Sequence, residues 1–338
     1  MKVPAFANAV PMLLLKSQAR PSVVGGRIPP SWWRRSSQQQ EGLKLDAPQS
    51  RDPQQPPQRE GEAGDTLLCQ GALLIPKLEV AMDEQLGAGL PLEFVSEEVL
   101  MNSGHELHES FTCLLCWLPI ALPIRKHSLF KACCMKLVCK GCLLALHRRG
   151  MQEKCPFCRM PEPKSDAARL ALVQKRASAK DPVAIESIAT AYYMGSYGLQ
   201  QDIPWAIELW TEAARLGNLI AHCNLGCRYY YGKDVEQDVA RGISHLQHAA
   251  IQGQPSSRYD LGYHEYENAN HELAVRHWMI SAKMGYEISL DAIKIMFTRG
   301  HATEAQYAEA LRSYQNAVEA TESTQREEAK AVLLDEGD

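Results

Sequence analysis

The chain has 338 residues, 22% of them charged and 45% hydrophobic, with 36 Lys and Arg against 40 Asp and Glu for a net charge of −4. That length exceeds one ordinary domain and predicts two folded units with tails. The near-neutral balance points to no partner by itself, and no apolar run approaches membrane-span length, so a soluble protein is expected.

Residues 1–105 read as a largely disordered low-complexity region. The first forty contain no acid and six bases, Lys2, Lys16, Arg20, Arg27, Arg34 and Arg35, a composition shared with organellar transit peptides. Prolines at 4, 11, 21, 29 and 30 would break an amphipathic helix there, which favours plain disorder. An intracellular location, cytoplasmic or nuclear, is therefore favoured, with an organellar transit peptide as the alternative. Residues 36–64 turn to Gln, Pro, Glu and Arg and cannot bury enough apolar area to offset chain entropy. Leucine and valine return over 66–101, where a strand or short helix that docks elsewhere is expected.

Residues 111–162 hold eight of the eleven cysteines in four close pairs: Cys113/Cys116, Cys133/Cys134, Cys139/Cys142 and Cys155/Cys158. In a Cys-x2-Cys turn both sulfurs can face one tetrahedral ion, and four such ligands close a structural site with no open position for chemistry. The pairs are spaced for metal rather than disulfides, which predicts two zinc ions, Zn(2+), and a small zinc-stabilised α+β module. Spacing leaves both an interleaved and a sequential pairing of the ligands open. Cys69 stands alone. Cys223 and Cys227 lie one helical turn apart and with His222 offer a further ligand set, although small half-apolar residues at that spacing usually face a core. The segment 111–165 is basic, with ten Lys and Arg against Glu153 and Glu162. It lacks a recognition helix or interleaved aromatics, so nucleic acid is a disfavoured partner.

The pairs are separated by sixteen, four and twelve residues, opening with CLLC, passing through CCMKLVCKGC and closing with CPFCR. This resembles a RING finger in its all-cysteine variant. Lys136 stands where many RINGs place a histidine, so Cys133 and Cys134 must supply the third and fourth ligands, with His127 or His147 as possible substitutes. The resemblance implies interleaved sites, Cys113, Cys116, Cys139 and Cys142 on one ion and Cys133, Cys134, Cys155 and Cys158 on the other. It also implies recruitment of a ubiquitin-conjugating enzyme, with Leu114 and Pro156 as the apolar docking surface and Arg159 as a linchpin between conjugating enzyme and ubiquitin. No residue of the chain would then be a catalytic nucleophile.

Residues 181–320 predict an all-α helical-repeat solenoid with a period of about 36, in units at about 182–217, 218–253 and 254–286 and a degenerate one at 288–320. Asp181 before Pro182, and Asp202 before Pro204, read as N-caps. Gly217, Gly253 and Gly285 stand where left-handed C-caps belong. Trp210, Leu246 and Trp278 would fill the space between helix pairs, and one pair cannot bury its apolar face alone. Tyrosines 192, 193, 229, 230 and 231 at helical spacing are read as core rather than as a binding face. Ala221, Leu225 and Gly226, Tyr229 and Gly232, Asp238, and Ala249, Ala250 and Gly253 carry a resemblance to Sel-like repeats (SLR) of the tetratricopeptide-type class, which implies protein binding. Residues 321–338 read as a charged tail. The combined expectation is a ubiquitin ligase or ligase adaptor whose RING recruits the conjugating enzyme while the repeats bind a substrate or other proteins. The alternative is a non-enzymatic scaffold with a structural zinc module.

Overall fold

The computed structural model describes residues 94–335. Cys69 and the segments read as transit-like, Gln/Pro-rich or leucine-rich up to residue 93 lie outside the described residues. Residues 94–105, at the end of the region read as largely disordered but with a docking strand or short helix expected up to 101, form part of the fold. Ser96 caps α1 (Glu97–Asn102) by accepting from the Val99 amide. Leu100 and Met101 enter a core with Cys223, Cys227, Ile243, Leu246 and Leu261. A six-residue helix that buries two side chains leaves no periodicity to read, and its seat is provided by residues about 150 positions away.

A 3-10 turn (Glu109–Phe111) leads into the cysteine module: α2 (Ile124–His127), β1 (Ser128–Lys131), β2 (Lys136–Cys139) and α3 (Lys140–Arg148). The strands form an antiparallel hairpin with Ser128 opposite Cys139 and Lys131 opposite Lys136. The module's own buried cluster is Cys113, Ile120, Val138, Cys139 and Cys142, too little apolar area to offset the entropy of ordering it.

Nine helices follow in antiparallel order: α4 (Asp166–Ser178), α5 (Pro182–Met194), α6 (Ile203–Arg215), α7 (Leu219–Tyr231), α8 (Val239–Ile251), α9 (Pro255–Glu267), α10 (His271–Lys283), α11 (Glu287–Thr298) and α12 (Glu304–Glu319). From α5 onward they stack as successive pairs in a solenoid, with α4 packed against α5. Local chemistry sets the boundaries. Asp181, Asp202 and Asp238 each accept amide hydrogens from the first turn of their helix, and Gly217, Gly253 and Gly285 adopt φ of 86°, 81° and 83° just beyond a helix end. In the second and third pairs the Leu-Gly signature serves close approach. A Cβ on Gly262 would lie 2.6 Å from the Trp278 indole nitrogen, and one on Gly226 2.8 Å from Leu246. Trp210, Leu246 and Trp278 are fully buried in these slots.

The tyrosines are only partly core. Tyr192 is buried, whereas Tyr193 is half-buried and faces Trp210 at 5.3 Å between ring centroids. The Arg228 guanidinium lies 4.2 Å from the Tyr193 centroid and 4.3 Å from that of Trp210. Tyr229, Tyr230 and Tyr231 are likewise half-buried.

The charged C-terminal segment, read only as a tail, carries a docked helix. Residues 324–335 form helix α13 (Thr324–Asp335), which packs on α3 of the cysteine module. Only Arg326 and Ala329 of its described side chains are buried, so no apolar stripe marks it in the sequence. The module is also joined to the start of the solenoid. Ala132 and Met135 share a core with Leu170, Val173 and Ile188, and the Arg176 side chain donates to the Cys133 carbonyl at 3.1 Å.

Candidate functional site

Two of the four cysteine pairs are built on the same backbone plan. Cys113 N–H donates to Leu118 O at 3.1 Å and Trp117 N–H to Cys113 O at 2.8 Å. Around the last pair, Cys155 N–H donates to Met160 O at 2.8 Å and Arg159 N–H to Cys155 O at 3.0 Å. Thr112 bridges Pro119 and Lys154 bridges Pro161 in the same antiparallel sense. The residues directly after the second cysteine, Trp117, Met135 and Arg159, have φ of 58°, 58° and 63°. A side chain in that left-handed region costs about 1–2 kcal/mol, and three successive uses mark a conformation that something else must stabilise.

The turns bring the eight sulfurs into two groups of four, Cys113, Cys116, Cys139 and Cys142, and Cys133, Cys134, Cys155 and Cys158, with all sulfurs of a group within 4.8 Å of one another. The grouping is interleaved along the chain. In the first, Cys113 and Cys142 are 3.9 Å apart and Cys116 and Cys139 3.8 Å. In the second, Cys134 and Cys155 are 3.6 Å apart and Cys133 and Cys158 3.3 Å. A tetrahedron with metal–sulfur bonds of about 2.3 Å has edges of about 3.8 Å, whereas a disulfide needs about 2.05 Å. Among the described residues no cysteine is joined in a disulfide. The first group also collects amide hydrogens: Cys139 N–H points to Cys113 Sγ at 3.3 Å, and Cys142 N–H to Cys139 Sγ at 3.4 Å, where the sulfur caps α3.

Packing four thiols together sets their charges against one another. Hydrogen bonds from Cys139 and Cys142 hold Cys113 far below the ordinary thiol range, and the bond to Cys113 drives Cys142 far above it. In the second group burial, then the bond to Cys158, pushes Cys133 up, and burial with the bond to Cys155 pushes Cys134 up to about 11. A dication at the centre removes this conflict by stabilising all four thiolates at once. Geometry and donor chemistry both fit two closed tetrathiolate sites.

Of the other candidate residues, His127 and His147 belong to neither group. Lys136 lies with its ammonium 5.0 Å from the Phe157 ring centroid. Leu114 and Pro156 are half-buried, while Leu115, Trp117 and Arg159 are exposed, Trp117 to 73%. His222 is not drawn to Cys223 and Cys227. Its ring bonds to Ala214 O at 3.1 Å and to His245 at 3.0 Å. Those two cysteines meet Asp260 instead: Cys227 donates to its carboxylate at 3.2 Å, and Cys223 lies 3.2 Å from Ser256 Oγ. All are buried between α7 and α9, where they join successive repeats.

Sequence reasoning missed Arg326. Its guanidinium donates to the carbonyls of Pro119, Leu118 and Thr321 and reaches Cys116 Sγ at 3.4 Å. An isolated arginine in a polar segment gives no signal of this kind.

No described helix is long and apolar enough to cross a membrane. The Sel1 repeat family matches residues 183–218 and 219–254. Among solved structures, a Sel1 repeat protein from Oxalobacter formigenes is 20% identical, with a TM-score of 0.41 over 54% of this chain and 72% of that one. The protein c5321, a protective antigen present in uropathogenic Escherichia coli strains and displaying an SLR fold, is also 20% identical, with a TM-score of 0.42 over 59% of this chain and 46% of that one. No curated protein matches the sequence. The two segments similar to Sel1 repeats lie inside a helical solenoid that continues on both sides of them.

Proposed function

We propose that residues 111–162 form a RING-type zinc module carrying two zinc ions, and that the chain acts as a ubiquitin ligase or ligase adaptor whose repeats bind a substrate or partner protein. The observation that carries this reading is the interleaving of two four-sulfur groups around one hairpin and one helix. Cys113, Cys116, Cys139 and Cys142 hold one ion and Cys133, Cys134, Cys155 and Cys158 the other. Each ion is fully coordinated by thiolate, so it supplies folding energy and performs no Lewis-acid chemistry.

Such a module contributes positioning. A conjugating enzyme docks on the apolar edge formed by Leu114, the more exposed Leu115 and Pro156, all beside zinc-binding turns. Arg159 projects from the last of these turns into solvent, where its planar fork can donate to two carbonyls at once. Bridging conjugating enzyme and ubiquitin in this way favours the reactive thioester conformation without a nucleophile from this chain.

A second reading, a non-enzymatic scaffold, draws support from the contacts that tie the module to both α4 and α13. Discharge of ubiquitin from a panel of loaded conjugating enzymes separates the two. A ligase accelerates discharge, and Arg159→Ala slows it roughly ten- to a hundredfold while keeping both zincs and the docking affinity. A folded, zinc-loaded protein that accelerates no conjugating enzyme leaves the scaffold.

A further inference from the structure

Helix α13 meets the cysteine module where a metal ligand and backbone carbonyls are presented together. Arg326, on its first turn, is buried to 9% exposure. Its Nη1 donates to Pro119 O and, at 2.6 Å, to Thr321 O; its Nη2 donates to Leu118 O at 3.1 Å and to Cys116 Sγ at 3.4 Å. These acceptors are three carbonyls and a sulfur, with no carboxylate among them. Carbonyls alone can hold a buried guanidinium, but negative charge nearby stabilises it further. Four thiolates around a dication carry a net charge of about −2, which the first cysteine group would supply.

Opposite Arg326, the helix backbone rests on Gly141, between the ligands Cys139 and Cys142. A Cβ at Gly141 would lie 2.8 Å from the Arg326 amide nitrogen and 2.9 Å from the Gln325 carbonyl carbon. The interface is thus built for backbone contact at the first turn of α3, and an ion pair between Arg148 and Glu328 continues it about two turns further along that helix. Three of the four acceptors of Arg326, Cys116 Sγ, Leu118 O and Pro119 O, belong to the turn that starts at Cys113 and Cys116. That turn carries Trp117 in a left-handed conformation, so its shape depends on what holds those two sulfurs.

We propose that Arg326 is an outer-shell partner of the first zinc site, and that α13 docks on the module only when that site is filled. The inference rests on the zinc reading above. Its consequence is mechanical: the module already packs on α4 and α5 through Ala132 and Met135, so docking of α13 ties both ends of the solenoid to one metal-folded body. Loss of the ion frees the C-terminal end.

The test uses the full chain. Bound zinc is counted by release into a colorimetric chelator, and hydrogen exchange is followed by mass spectrometry at peptides 324–335 and, as a control, 203–215. Zinc-loaded wild type is expected to protect both peptides. After chelation 324–335 should exchange at least tenfold faster while 203–215 is unchanged. Arg326→Gln should still bind two zincs, yet release one of them roughly ten- to a hundredfold faster than wild type and the other at the wild-type rate. It should also lose protection at 324–335. Gly141→Ala leaves every sulfur and Arg326 in place and should loosen 324–335 in the same way, which keeps the test decisive if Arg326→Gln folds poorly. Equal protection of 324–335 in loaded and metal-free wild type overturns the inference, as do two unchanged release rates in Arg326→Gln. A wild-type protein that binds no zinc at all overturns the metal reading instead, and the count reports that before any exchange is measured.

Discussion

The Arg258 guanidinium donates to the carbonyl of Leu100 at 2.7 Å, across 158 positions of sequence. It also donates to Ser103 O at 2.6 Å and Ala250 O at 3.2 Å, with no exposed surface of its own. Burial lowers its pKa to about 10. The segment before the cysteine module therefore supplies two of the three carbonyls that satisfy a cation inside the third repeat.

Removing that strap should weaken the repeats. A fragment of residues 166–325 retains the paired helices and should remain helical in the presence of chelator. It leaves Arg258 with one carbonyl, however, and uncovers the seat of Leu100 and Met101. Urea unfolding followed by circular dichroism should show it less stable than the full chain by about 3–5 kcal/mol, the usual cost of stripping partners from a buried charge. Leu100→Ala in the full chain should cost about 2–5 kcal/mol through the cavity alone. A fragment as stable as the intact solenoid would show that the strap is decoration.

Metal analysis should return two zinc ions per chain. Cys134→Ser removes a ligand from the second group and should lose that ion and unfold the hairpin, because zinc binding supplies on the order of 10 kcal/mol to a module with so small a core. Cys69→Ser should keep both ions. Equal zinc loss in the two variants would refute the ligand assignment, and a stoichiometry of one would refute the count.

Acid should destabilise the solenoid through its buried histidines. Burial and the nearby His248 lower the pKa of His222 to about 4; burial, His222 and Arg241 lower that of His245 to about 3; and burial with Arg258 lowers that of His277 to about 3. Each ring is neutral in the fold and binds a proton more readily once unfolded, so its contribution is complete above about pH 6.5. It declines as pH falls below that value and levels off near pH 3–4. His222 alone should account for about 3 kcal/mol over this span. Urea midpoints measured from pH 7 to 4 should fall in wild type and fall less steeply in His222→Gln; parallel curves would count against these groups.

The slot between α9 and α10 should be intolerant in both directions. Trp278→Ala removes a fully buried indole whose N–H donates to Tyr259 O at 3.1 Å, and should cost about 3–5 kcal/mol. Gly262→Ala places a methyl 2.6 Å from the indole nitrogen and should cost about 1–3 kcal/mol by overpacking. Thermal melts of the two variants and their combination would reveal the contact, because residues that share a slot are non-additive. Additive losses would place the two residues in independent environments.

The repeat half was legible in the sequence because each of its signals is local. An aspartate cap, a Leu-Gly pair and a closing glycine act within a few residues of where they stand, and recurrence at a fixed period repeats the message. The cysteine pairs were legible for the same reason, since each Cys-x2-Cys turn declares a shared ligand position. Pairing between turns is not local, so spacing left the interleaved and sequential arrangements equal until the chain was folded.

What only the tertiary structure decided lies at the joins. Residues 94–105 and 324–335 carry no periodic apolar pattern, because each buries only two or so side chains and is held by arginine hydrogen bonds that span 155 to 210 residues. Cys223 and Cys227 face the core as their spacing favours, but only the fold shows that the helix turns His222 toward His245 while Asp260 arrives from the next repeat to meet the thiols. A residue's type and its neighbours in sequence determine how a turn or helix begins and ends. Which distant carbonyl a buried arginine will hold depends on where the packed helices bring it, and no pattern along the chain encodes that separately from the fold.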